Sequence, residues 1–89
     1  MATLVFSPEA DDELTRLESD PRRHRLAARL NTALDALEAN PGDAHNRRRR
    51  FDTIGLWGIA VVAGDEEWLI LWEPGDGDDV VVHHIIPAP

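Results

Sequence analysis

The residues Leu56-Trp57-Gly58-Ile59-Ala60-Val61-Val62-Ala63-Gly64-Asp65-Glu66-Glu67-Trp68-Leu69-Ile70-Leu71-Trp72-Glu73 decide the fold. Two runs rich in Val, Ile, Leu and Trp, Leu56 to Ala63 and Glu67 to Glu73, flank Gly64-Asp65. That dipeptide suits a tight hairpin, because glycine takes positive φ without strain. A connection this short forces the two runs to lie as antiparallel neighbours. Side chains alternate across a strand, so Trp68 and Trp72 share a face with Ile70, while Trp57 sides with Ile59 and Val61. Core packing under a covering layer is the expected role of these indoles; an exposed one would mark a protein interface. A third run, Asp79 to Ile86, follows the longer loop Pro74-Gly75-Asp76-Gly77-Asp78 and completes a meander. Pro87-Ala88-Pro89 ends the pairing.

The covering layer lies upstream. Thr3 to Phe6 reads as a short strand cut off by Ser7-Pro8. Ser7 is placed as an N-cap with Pro8 at the first helical position, and Glu9 and Asp11 complement the helix dipole. Ala10, Leu14 and Leu17 fall on one face of a helix that ends near Ser19. Ser19-Asp20-Pro21 repeats the start signal. Leu26, Leu30, Ala33, Leu34 and Leu37 then form the strongest amphipathic stripe in the chain, closed by Asn40-Pro41-Gly42-Asp43. The predicted architecture is α+β, in the order β-α-α-β-β-β: a helical hairpin packed on a small antiparallel sheet, as one domain over residues 1–89. Thr3 to Phe6 must join that sheet or remain an orphan edge.

Composition narrows the chemistry. The 89 residues contain no cysteine, which excludes disulfides, thiol nucleophiles and thiolate metal sites and fits a cytoplasmic setting. No apolar stretch approaches the roughly 18–20 residues that span a bilayer, and the N-terminus lacks a basic leader segment. The net charge is −8, and the nine basic residues are all arginines, confined to Arg16–Arg50. An acidic domain is repelled by nucleic acid at long range, so any RNA or DNA contact requires a local basic patch.

The order of elements, with Gly55-Leu56-Trp57-Gly58-Ile59-Ala60-Val61 leading into Ile70-Leu71-Trp72-Glu73, resembles the RelE/ParE toxin superfamily. The opening Leu4-Val5-Phe6-Ser7-Pro8-Glu9-Ala10 is similar to that family's first strand and helix start. The resemblance implies the toxin of a type II toxin–antitoxin pair. Such a protein is held inactive by an antitoxin and acts by cleaving mRNA on the ribosome or by inhibiting DNA gyrase. The chain departs from the family where arginines usually stand: it has Gly58, Ala60 and Leu69, and it ends in Pro87-Ala88-Pro89 instead of basic residues with a His or Tyr. Those departures leave open a catalytically degenerate protein-binding module on the same scaffold.

Among individual residues, Arg47-Arg48-Arg49-Arg50 stands out. Four adjacent guanidiniums repel one another, so an anionic partner is expected: RNA phosphate, gyrase or an acidic antitoxin segment. The alternative is solvated pairing with some of the seventeen acids. In an extended segment Arg47 and Arg49 face one way, Arg48 and Arg50 the other. His83 and His84, adjacent in a strand, point to opposite faces and cannot chelate one metal together. A ribonuclease needs a base for the 2′-hydroxyl and an acid for the leaving oxygen; His84 with Arg48 or Arg50 nearby would be a minimal version, against the simpler role of a packed or exposed strand-end histidine. Asp76-Gly77-Asp78-Asp79 lacks the ligand series of a calcium loop, and neither metal nor cofactor is expected. Open sheet edges make a weak homodimer plausible.

Overall fold

The computed structural model describes residues 2–47 and 49–89. The chain runs β1 (Thr3–Phe6), α1 (Pro8–Glu18), a 3₁₀ turn at Pro21–Arg23, α2 (His24–Ala39) and a second 3₁₀ turn at Ala44–Arg47. It continues as β2 (Arg49–Phe51), β3 (Leu56–Ala63), β4 (Glu66–Pro74) and β5 (Asp79–Pro87). Among the described residues the strands form one five-stranded sheet in the order β1-β5-β4-β3-β2. Both helices cover one face. No helix among the described residues is long and apolar enough to cross a membrane.

The N-terminal signals work as read. Ser7 accepts a hydrogen bond from the Ala10 amide at 3.1 Å, and its hydroxyl donates to the His83 carbonyl at 2.6 Å. One side chain therefore caps α1 and ties it to β5. Leu17 of α1 and Leu26, Leu30, Leu34 and Leu37 of α2 are buried against Ile59, Val61, Ile70, Trp72, Val80, Val82 and Ile85 of the sheet. Each buried leucine contributes about 1.5–3 kcal/mol, which makes this the principal core. Trp68 and Trp72 lie in it and Trp57 packs at its margin, as the alternation predicts.

Two features go beyond the predicted meander. The orphan strand does find a partner: β1 pairs with β5 in parallel, Thr3 opposite Asp79 and Phe6 opposite Val82, so the sheet is mixed. The second feature is β2, which pairs antiparallel with β3 over Leu56–Gly58. Its three residues include a single apolar one, and it depends on the turn before β3, where the Gly55 amide bonds the Phe51 carbonyl at 2.8 Å. Gly55 has φ +72°, which only glycine adopts cheaply.

The register between β4 and β5 slips once. Leu71 faces His84 and Trp72 faces Val82, leaving His83 as an extra residue. Such a bulge locally re-aims side chains, so strict alternation does not govern His83 and His84.

Candidate functional site

The arginine-rich segment is spread over two elements and several partners. Arg47 closes the second 3₁₀ turn; its Nε donates to the Pro41 carbonyl at 3.1 Å, and its guanidinium carbon lies 5.4 Å from the Trp57 ring centre and 5.6 Å from that of Trp72. Arg50 sits across from Trp57 in the β2–β3 ladder, 4.8 Å from the same ring, with its Nε 3.4 Å from Asp52 Oδ1. Two guanidiniums thus share one half-buried indole, each contact contributing about 0.5–1 kcal/mol at an exposed site. Arg49 sits opposite Gly58 and pairs loosely with Glu67 at 3.8 Å. Arg48 lies outside the described residues. Arg47 is therefore tied to the core by packing and a hydrogen bond, and Arg49 and Arg50 are paired but half-exposed.

Beneath Arg47 is the one buried polar side chain of the described core. Asn46 is 2% exposed; its Nδ2 donates to the Asn40 carbonyl at 2.8 Å, and its own carbonyl accepts from Trp72 Nε1 at 3.1 Å. The loop between α2 and β2 is thereby fastened to the centre of the sheet. Nothing in the sequence singled out this asparagine. An asparagine in a turn-rich stretch is common, and its partner lies 26 residues away.

His84 stands at the other side of the molecule. Its Nδ1 is 3.4 Å from Glu9 Oε2 on α1, and it lines a small cavity of about 240 Å³ with Glu9 and Glu13. His83 Nε2 is 2.8 Å from Glu73 Oε1. The two imidazoles, 6.3 Å apart between ring centres, are thus engaged by different carboxylates. His84 belongs to β5 and Arg50 to β2, three strand spacings away, or roughly 14 Å across the sheet. The fold does not bring His84 and Arg50 together.

The sheet face turned away from the helices explains the departures at Gly58 and Leu69. Leu56, Leu69 and Leu71 are buried there in a second apolar cluster with Phe51, Ala60 and Ala88. The Phe51 ring lies over the backbone of Gly58, where a Cβ would stand 2.5 Å from Phe51 Cε2. Arginines at 58 and 69 would displace this cluster.

A larger concavity, about 340 Å³, opens between α2 and β3. Arg29, Thr32, Ala33 and Ala36 line it from the helix, Ala60 and Val62 from the strand. Sequence reasoning missed it, because among the described residues β2 pairs with β3 only over Leu56–Gly58, and beyond that point the concavity is bounded by α2 and by His45 and Asn46 of the second 3₁₀ turn.

Comparison with protein-family models gives a match over residues 4–88 to the ParE toxin of the type II toxin–antitoxin system parDE. Neither the comparison with curated proteins nor that with solved structures gives a match. The matched span takes in every element from β1 to β5, the scaffold anticipated from the hairpin and its covering helices, and the chain belongs to the ParE toxin family of type II toxin–antitoxin systems.

Proposed function

We propose that this chain is a ParE-type toxin that acts through protein contact, inhibiting DNA gyrase in the cytoplasm, and that a cognate antitoxin holds it inactive. The observation that carries this reading is the apolar outer sheet face. Phe51, Leu56, Leu69 and Leu71 fill the surface on which a nuclease would hold a cleaving phosphate. A phosphoryl transition state needs several preorganised cations around it, and an apolar floor supplies none. The separation of His84 from Arg50, and the carboxylate beside His84, weigh in the same direction. Membership of the family supports the antitoxin partner.

The test is controlled expression in a bacterial host, followed by two assays with the purified protein. Growth arrest, loss of gyrase supercoiling and no ribosome-dependent mRNA cuts are the expected outcome. Cuts that vanish in an Arg48→Ala/Arg50→Ala or His84→Ala variant would establish mRNA cleavage in its place. The lost arginines also favour a second reading, a module that binds an antitoxin-like partner without toxicity; a folded product that leaves growth untouched would select it. Weak self-association through the short β1 edge, where Val5 is exposed, belongs to the same proposal. Sedimentation showing only monomer at high concentration would remove it.

A further inference from the structure

Most of the described arginines after Arg23 border one side of the molecule, the β2 edge of the sheet. Arg49 sits opposite Gly58 and Arg50 opposite Trp57, so the two guanidiniums of β2 leave opposite faces of the sheet. Arg47 enters the same corner from the second 3₁₀ turn and lies against Trp57 and Trp72. Farther along β3, Arg29 of α2 lines the same concavity as Ala60 and Val62, and Arg25, one turn earlier on the helix, is exposed in the same stripe. His45 and Asn46 of the 3₁₀ turn stand between the two groups. Trp57 and Val62, which mark the two ends of this array, are five residues apart in β3, roughly 16 Å by the rise of a strand.

Little in the chain neutralises this edge. Among the described residues Arg25 and Arg29 have no ion-pair partner, although the chain carries seventeen acids. Arg49 is 3.8 Å from Glu67 and Arg50 is 3.4 Å from Asp52, exposed contacts of a kind that is weak in water. Asp43, the nearest acid before the 3₁₀ turn, accepts from the His45 amide at 2.8 Å. Guanidiniums ranged over a strand and a helix, with some 16 Å between the ends, exceed the reach of one small anion and suit a string of them. The surroundings select which string. A single nucleic-acid strand is held by stacking its bases on aromatic rings. The rings at this edge are already taken: Phe51 lies over Gly58, and Trp57 carries two guanidiniums. A duplex keeps its bases stacked inside and presents phosphates, which guanidiniums bind with no aromatic platform.

Resting on the gyrase reading above, we propose that this arginine edge lies against the phosphate backbone of duplex DNA held by gyrase, so that the chain touches the DNA as well as the enzyme. The contact is made to phosphates and reads no base sequence. The net charge of −8 makes the contact weak for the free protein, and gyrase supplies the proximity that makes it effective.

The probe is a fluorescein-labelled DNA duplex of about 20 base pairs, titrated with the full chain at low salt and followed by anisotropy. Weak, saturable binding indifferent to sequence is expected, with affinity falling as salt rises at a log–log slope of about −2 to −4. Arg25→Gln/Arg29→Gln and Arg49→Gln/Arg50→Gln should each lower affinity at least fivefold. Arg16→Gln, on α1, should leave it unchanged. Arg25 and Arg29 are exposed on α2, so their variant folds and decides the matter even if the β2 variant does not. Absence of binding at low salt, indifference to the arginine pairs, equal binding of the single strand or of a glutamate oligomer, or tighter binding of duplex RNA would each overturn the proposal. A second arm adds gyrase: the duplex should raise its capture by the chain, and that increment should vanish in Arg25→Gln/Arg29→Gln. Failure here is separable from failure of the gyrase reading. Gyrase captured with no gain from the duplex refutes the DNA contact alone, whereas a chain that captures no gyrase refutes that target and leaves the duplex titration to decide the edge.

Discussion

At the scale of single residues, the stability of the α2–β2 connection turns on Asn46. Its amide and carbonyl complete a chain from the Asn40 carbonyl to the Trp72 indole, deep in the core. Asn46→Ala removes the side-chain donor and leaves the Asn40 carbonyl without it, a loss of about 1–3 kcal/mol for a buried polar group. Urea denaturation should show that decrease in midpoint with an unchanged slope. Gly58 poses the opposite problem. Restoring the family's arginine there expels the Phe51 ring, so Gly58→Arg should cost roughly 1–3 kcal/mol, the range for overpacking. It should bring no ribosome-dependent mRNA cleavage, because Leu69 and Leu71 still occupy the rest of that face. A stable, RNA-cutting Gly58→Arg protein would show that the outer face is closer to a nuclease than its apolar lining implies.

At the scale of elements, legibility followed the range of the interactions. The hairpin of β3 and β4 was readable because Gly64-Asp65 and two alternating apolar runs carry their own instructions. The helices were readable because Ser7-Pro8 and the leucine stripe are local signals. β2 was hidden, since Arg49-Arg50-Phe51 is a strand only by virtue of its neighbour, and the parallel pairing of β1 depends on residues at the far end of the chain. The bulge at His83 was equally hidden, a matter of register between two strands, and with it went any reliable direction for the histidines. The arginine run was visible, but its breakup into a core-packed Arg47, an Arg49 beside Glu67 and an Arg50 beside Trp57 was not. A prediction at this scale concerns the joint between α1 and β5. Ser7→Ala deletes both the cap and the bond to the His83 carbonyl, and should lower stability by roughly 1–2 kcal/mol. Ser7→Thr, which keeps the hydroxyl, should recover most of it in thermal denaturation.

At the scale of the whole molecule, the charge is divided, with acids concentrated on α1 and the C-terminal half, and Arg25 and Arg29 on α2 without an ion-pair partner among the described residues. Any anionic partner would therefore meet a local attraction within a repulsive whole, and the salt dependence of its binding should be shallower than for a uniformly basic domain. The sheet order has its own consequence. β5 sits between β1 and β4, so a chain truncated before Asp79 loses the partner of two strands at once. Circular dichroism of that fragment should show no cooperative melt. The contact between Ser7 and His83 joins positions 76 residues apart, nearly the full length of the polypeptide. During translation the opening strand leaves the ribosome long before the segment it must lie beside exists. Assembly of the sheet thus waits until Asp79–Pro87 has emerged, and nothing that depends on the closed sheet can begin before then.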